Sequence, residues 1–68
     1  MSWFIINADA VRRTALQRGL SMRDLAALSG VSKATIMRDL NGERAVTKTV
    51  YRIAKALEVD PLEIIKEG

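Results

Sequence analysis

Cysteine and histidine are both absent from this chain of 68 residues, and proline occurs once. With no cysteine and no metal-ligand spacing, neither disulfides nor zinc can hold together a domain this short, and well-packed helices must do so instead. The same absences, together with scattered carboxylates and no glycine-rich phosphate loop, exclude the usual catalytic arrangements. We therefore expect no enzymatic activity, no cofactor, no metal and no small-molecule ligand.

Long apolar runs are missing as well. The longest one near the N-terminus, Trp3 to Ile6, is too short to span a bilayer or to form the core of a signal peptide. This predicts a cytoplasmic protein with no membrane partner. Hydrophobic residues make up 49% of the chain and charged residues 28%, as in ordinary folded proteins. Residues 1–68 are predicted to form a single domain, with residues 1–6 as an apolar N-terminal extension.

Acidic residues are scarce through most of the chain. Residues 10–57 carry ten lysines or arginines against three acids, whereas residues 58–68 carry four acids and one lysine, and the formal net charge is +3. A basic body suits a polyanionic partner such as nucleic acid, although many small proteins are equally basic for solubility alone. Charge by itself leaves both explanations open.

Capping residues and apolar spacing predict five short helices and so an all-α fold. The first helix follows a cap at Asn7 and stops at Gly19. The second begins at Ser21, where Asp24 is placed to complete a capping box, and it ends at Gly30. A left-handed glycine at that end lets the chain turn sharply into the next helix.

Three further helices follow the same kinds of signal. The third is predicted over residues 33–40 behind a Ser32 cap. The fourth spans about residues 48–57 behind a Thr47 cap and has the clearest amphipathic spacing. Asp60-Pro61 then begins a final turn or short helix, since proline is favoured at the first helical position.

The second and third helices are separated by only three residues, so together they form a helix-turn-helix. Motifs at matching spacing lie in and around this unit: Gly19-Leu20-Ser21, Leu25-Ala26, Gly30-Val31-Ser32, Ala34-Thr35-Ile36, Arg38, Asn41-Gly42 and Ile53-Ala54-Lys55-Ala56-Leu57. With these motifs the sequence resembles the Cro and lambda-repressor-like family, also called the XRE family, over about residues 8–65. The resemblance implies a compact five-helix domain with its third helix in the DNA major groove. It thus implies a nucleoid-associated, sequence-specific transcriptional regulator such as a repressor.

The outer face of the third helix is the predicted base-contacting surface. The residues on this face are Lys33, Ala34, Met37 and Arg38. Arg38 is the first candidate, because a guanidinium donates two parallel hydrogen bonds to guanine O6 and N7. Lys33 suits a base or a phosphate, and Ala34 and Met37 suit a thymine methyl group. A merely solvated charge is the alternative for Arg38.

A second group of residues flanks this face if the docking of the family holds. The residues predicted to contact DNA phosphates are Ser21, Arg23, Ser32, Arg44, Thr47 and Lys48. For the two serines, helix capping is a structural role that can coexist with a phosphate contact. Simple solvation is the alternative for the others.

Asp39 departs from the family pattern, and the N-terminal segment is unusually apolar for an end. Asp39 stands where the family has an apolar residue packed under the third helix, so its carboxylate is expected to point outward or to pair with a cation. The apolar segment Trp3 to Ile6 is expected to fold back over the first helix, or else to pair as a strand across a dimer.

A single recognition helix contacts only a few base pairs, so we expect a homodimer, at least on DNA, at an inverted-repeat operator. Its interface is expected at the N-terminal apolar segment or, preferably, at the final segment with Leu62, Ile64 and Ile65. The alternative function is a protein-binding module on the same scaffold, such as an antitoxin or accessory factor. Such a module would prefer an apolar or aromatic anchor to cations on the third helix.

Overall fold

The computed structural model describes residues 2–66. The elements, in chain order, are strand β1 (Trp3–Ile5), helices α1 (Ala8–Gln17), α2 (Met22–Ser29) and α3 (Lys33–Leu40), strand β2 (Arg44–Val46), helix α4 (Thr47–Leu57) and a 3₁₀-helix (Pro61–Ile64). The first four predicted helices are present, and the fifth is a 3₁₀-helix of four residues. The all-α prediction was wrong in one respect, because it did not foresee the two-stranded antiparallel sheet.

The starts of the first three helices lie at the predicted caps. The Asn7 side chain accepts a hydrogen bond from the Ala10 amide at 3.1 Å. Ser21 and Asp24 form the full capping box, each side chain accepting from the other's backbone amide. Ser32 caps α3. Each cap satisfies amides that the helix itself leaves unpaired, which is why these boundaries follow from local sequence.

Helix α4 begins differently from the prediction. Thr47 is its first residue and not its cap, and the cap position is held by Val46, which makes no side-chain hydrogen bond there. The reason is that β2 runs directly into α4: Val46 ends the strand in an extended conformation, with φ −75° and ψ 155°. No residue with a capping side chain lies between the two elements.

Helix α4 forms the centre of the domain, where it packs against α1, α2, both strands and the 3₁₀-helix. Its inward residues Val50, Ile53, Ala54 and Leu57 are buried at the predicted helical spacing. The other elements and their connections contribute buried Ile6, Val11, Ala15, Leu25, Val31, Ile36, Leu40, Ala45 and Ile64. Helix α3 packs mainly against α2, and this leaves one of its sides open to solvent.

The N-terminal segment folds back, but against β2 and α4, and not over the first helix as predicted. Strand β1 pairs with β2 in the register Trp3↔Val46, Phe4↔Ala45 and Ile5↔Arg44. Its other edge is also bonded, since the Lys66 amide donates to the Ile5 carbonyl at 2.8 Å. The strand pairing is therefore within one chain, and pairing across a dimer would require these hydrogen bonds to break.

Candidate nucleic-acid interface

The corner between α2 and α3 sets the angle of the helix-turn-helix. Gly30 ends α2 in the left-handed conformation, with φ 73°. The Ser29 hydroxyl accepts a hydrogen bond from the Val31 amide at 3.2 Å, and the Val31 side chain is buried at the corner. A glycine at the positive φ and an apolar residue inside the turn fix the direction in which α3 leaves α2.

Helix α3 is amphipathic, with Ile36 and Leu40 buried against the core. Of the four predicted base-contacting residues, Lys33, Ala34 and Arg38 are exposed on the solvent side. Met37 is only half exposed, and its side chain packs against the core. Three of the four side chains are thus accessible to DNA on one side of the helix, whereas the Met37 side chain is partly buried in the core and partly exposed.

A chain of hydrogen bonds runs along the exposed side of α3. The Ser32 hydroxyl accepts from the Thr35 amide at 3.1 Å and donates to the Thr35 hydroxyl at 2.9 Å. The same Thr35 hydroxyl accepts from the Arg38 guanidinium at 3.2 Å. Sequence reasoning did not single out Thr35 as a site residue, although the spacing of three between Ser32, Thr35 and Arg38 is the signal for it.

All six residues predicted to contact phosphates are exposed: Ser21, Arg23, Ser32, Arg44, Thr47 and Lys48. At the start of α2 the capping box places the Asp24 carboxylate among the free amides. Hydrogen bonds from Ser21, first from its backbone and then from its side chain, lower the pKa of Asp24. A charged carboxylate therefore competes with a phosphate at that helix start.

The start of α4 differs, because the N-cap residue Val46 makes no side-chain hydrogen bond. Within residues 2–66 no side-chain cap therefore competes with an anion for the first amides and the positive dipole end of this helix. Thr47 and Lys48 lie in the first turn of α4, and Arg44 lies on the strand that leads into it. The Arg44 guanidinium carbon lies over the Trp3 ring, 4.5 Å from the ring centroid. Amides, a hydroxyl and cations near the start of one helix are groups of the kind that hold a phosphate.

Asp39 is buried, with 5% of its surface exposed, where the sequence analysis expected a carboxylate that points outward or pairs with a cation. Among residues 2–66 its carboxylate makes no ion pair. It shares the inward face of α3 because it lies three residues after Ile36 and next to Leu40. Burial raises its pKa most, the Arg38 charge lowers it and the Glu43 charge raises it. The predicted ion pair was therefore wrong, whereas no carboxylate oxygen of residues 2–66 is buried without a hydrogen-bond partner.

An apolar groove of about 130 Å³ lies beside α4 and shares Thr47 with the start of that helix. The residues that line it are Phe4, Thr47, Val50, Tyr51, Pro61, Leu62 and Ile65. The two surfaces considered for self-association thus meet at one groove, since Phe4 comes from the N-terminal segment and Leu62 from the final one. Ile64 is fully buried and takes no part in it, which corrects that prediction.

Within residues 2–66, every helix lacks the length and apolar character that a membrane span needs. In the same part of the chain, no group of three or more acidic side chains is placed to hold a metal ion.

Residues 11–64 match a protein-family model described as helix-turn-helix. The match covers most of the chain, which therefore belongs to this family of DNA-binding domains, the Cro and lambda-repressor-like or XRE type. A search of curated proteins finds no match to the chain.

Proposed function

We propose that the protein is a sequence-specific regulator of transcription that lays α3 in the major groove of double-stranded DNA. The observation that carries the proposal is the division of α3 into two faces. Ile36 and Leu40 hold the helix to the core, while Lys33, Ala34 and Arg38 stand on the exposed side. A B-DNA major groove admits one α-helix, whose polar and small side chains then face the base edges.

Within this arrangement Arg38 contacts guanine O6 and N7, and Lys33 contacts a base or a phosphate. The Ala34 methyl group meets a thymine methyl, and the part of Met37 that is exposed does the same. The hydrogen bond from Arg38 to Thr35 supports this assignment, because it restricts the guanidinium before DNA arrives. A restricted side chain loses less conformational entropy on binding than a free one.

Phosphate contacts orient the helix in the groove. The uncapped start of α4, with Thr47, Lys48 and nearby Arg44, is the strongest of these sites for the reasons given above. Arg23 adds a contact at the start of α2, and the Ser21 and Ser32 hydroxyls add contacts when a phosphate replaces Asp24 and Thr35 as the acceptor of their hydrogens. These contacts hold the register on the duplex and carry no sequence information themselves.

On DNA the protein acts as a homodimer at an inverted-repeat operator. A domain of this size contacts too few base pairs to be specific alone. The apolar groove supports the assignment of the interface, because Tyr51 and Leu62 border it with 58% and 74% of their surfaces exposed. Apolar side chains this exposed gain free energy when a second copy covers them.

Selection of bound duplexes from a random DNA pool tests the proposal. The native chain should enrich one inverted repeat. Arg38→Gln should lose the preference for one base in each half-site. Arg12→Gln, which removes the same charge from an exposed position on α1, should keep it and serves as the matched control.

A protein-binding module is the second candidate, and the exposed apolar groove is the observation that favours it. It makes a different prediction for the same experiment. A native chain that enriches no sequence, even at low salt, would support this function and contradict sequence-specific DNA binding.

A further inference from the structure

Strand β1 lies against the connection between α3 and α4, since it pairs with β2, which forms the end of that connection. Side chains along the two strands alternate between an inward and an outward face, as in a sheet with one covered face. Phe4 and Ala45 pack inward, whereas Trp3, Arg44 and Val46 are exposed on the outer face. The N-terminal segment therefore brings an aromatic side chain beside a cation that lies close to the start of α4.

The Arg44 guanidinium carbon lies 4.5 Å from the centroid of the Trp3 ring. At this distance the negative face of an indole attracts the cation. The ring stands on a braced strand, because the Ile5 carbonyl accepts from the Lys66 amide at 2.8 Å and the Asn7 amide donates to the Ile64 carbonyl at 2.7 Å. The backbone that carries the ring is thus held by hydrogen bonds that do not involve Arg44.

The contact with the ring leaves hydrogen-bonding capacity of Arg44 unused. A guanidinium carries five N–H donors, so one ring near its central carbon leaves donors free for an oxyanion. Within residues 2–66 Arg44 forms no ion pair. The side chain is therefore restricted in conformation and remains able to bind an oxyanion.

We infer that Trp3 is a positioning residue for DNA binding, which holds the Arg44 guanidinium at the start of α4 so that Arg44 contacts a DNA phosphate. The inference rests on the proposed DNA-binding function. An arginine loses much rotamer freedom when it is fixed on a ligand, and the Trp3 ring removes part of that freedom before DNA arrives. The aromatic residues of the N-terminal segment thus have separate roles, with Phe4 in packing and Trp3 in binding.

A double-mutant cycle with Trp3→Leu and Arg44→Gln tests the inference on the full chain. Leucine keeps an apolar side chain on a half-exposed position but has no aromatic face. Trp3→Leu should weaken binding to a duplex of fixed sequence about two- to fivefold when Arg44 is present, as an exposed cation–π pair allows. In the Arg44→Gln background the same change should have no effect. Trp3→Phe, which keeps a ring, should bind nearly as the native chain does.

Two further measurements separate positioning from general stability. Arg44→Gln should make the slope of log K against log salt less negative by about 0.9, the loss of one phosphate contact. It should also alter the fluorescence of Trp3, the only tryptophan of the chain. Circular dichroism establishes that each variant is folded.

The outcomes that contradict the role of Trp3 differ from those that contradict the proposed function. Equal losses for Trp3→Leu in both backgrounds, an unchanged fluorescence in Arg44→Gln, or tighter binding without the ring would overturn the role of Trp3 alone. A native chain that binds no duplex at low salt would overturn the proposed function and the inference together.

Discussion

The Arg38 guanidinium donates a hydrogen bond to the Thr35 hydroxyl at 3.2 Å, one turn back along α3. The Ser32 hydroxyl, which caps the helix, donates to the same Thr35 oxygen at 2.9 Å. The helix cap and the proposed base-contacting arginine are therefore connected through one threonine.

Thr35→Val should reduce the preference for the operator over a duplex with one altered base pair, by about two- to tenfold, the size of one hydrogen bond. Valine has the shape of threonine but cannot accept from Arg38. Thr35→Ser keeps the hydroxyl and should retain the preference. Affinities for the two duplexes provide the test, and equal effects of valine and serine would show that the hydroxyl does not position Arg38.

Arg38→Ala should cost about 1–3 kcal/mol on the preferred duplex and relax the choice of base at one position in each half-site. Lys48→Ala should weaken binding to all duplexes alike, because a phosphate contact carries no sequence information. Both residues are exposed, so neither change should unfold the domain. If Arg38→Ala lost as much on random DNA as on the operator, Arg38 would not be a base contact.

The affinity for duplex DNA should fall steeply as salt is added, because cations that neutralise phosphates release counterions. The logarithmic slope should be about −0.9 for each phosphate contacted. Arg23, Lys33, Arg44 and Lys48 are the side chains that supply these contacts. Titrations at several salt concentrations measure the slope, and a flat dependence would contradict the phosphate contacts.

Asp39→Leu should raise the thermal midpoint, since it replaces a buried carboxylate by an apolar side chain. The expected gain is about 0.5–2 kcal/mol, which corresponds to several degrees in a domain of this size. The difference in stability between Asp39→Asn and the native chain should depend on pH. The folded-state pKa of Asp39 is raised above its ordinary 3.8, so its contribution to stability is full below pH 3.8 and is lost as pH rises through the folded-state pKa. The advantage of asparagine should therefore appear above pH 3.8 and persist at neutral pH.

Asp24→Asn is the matched control with the opposite sign. The pKa of Asp24 is lowered from 3.8, so its stabilising contribution is present above pH 3.8 and is lost as pH falls through the folded-state pKa. Asp24→Asn should be less stable than the native chain at neutral pH and should approach it in acid. Thermal melts over a pH series measure both variants. A loss of stability in Asp39→Leu would mean that the carboxylate stabilises the fold.

Leu62→Gln should reduce the gain in affinity that a second half-site provides, by about tenfold, because it removes an apolar contact from the proposed dimer interface. Glutamine is neutral and leaves the attraction to DNA unchanged. Leu16→Gln alters an equally exposed leucine on α1, outside the groove, and should have no such effect. Sedimentation on duplexes with one or two half-sites, roughly 34–36 Å between centres, gives the stoichiometry. A one-to-one complex of the native chain on the full site would exclude the dimer.

The sequence alone determined the parts of the fold that depend on neighbours within one turn of a helix. Asn7, Ser21 and Ser32 each cap an amide three residues ahead, and Gly30 adopts a backbone angle that other residues avoid. The apolar spacing of α4 likewise identified its buried face. The exposed position of Lys33 and Arg38 followed from the same periodicity.

Tertiary structure decided what depends on residues far apart in the chain. The pairing of Trp3 with Val46 joins segments more than forty residues apart, and three-residue strands are too short to show a period of two. Thr47 is not the predicted cap, because β2 runs directly into α4 and Thr47 is the first residue of that helix. The burial of Asp39 was decided by the packing of α3, because an amphipathic pattern alone does not say how far the buried face extends. The groove between Phe4 and Leu62 exists only because β1 and the 3₁₀-helix both pack on α4. Local hydrogen bonds and helical periodicity depend on residues a few positions apart in the chain, so the sequence alone predicts them. Packing depends on which surfaces from distant parts of the chain come into contact.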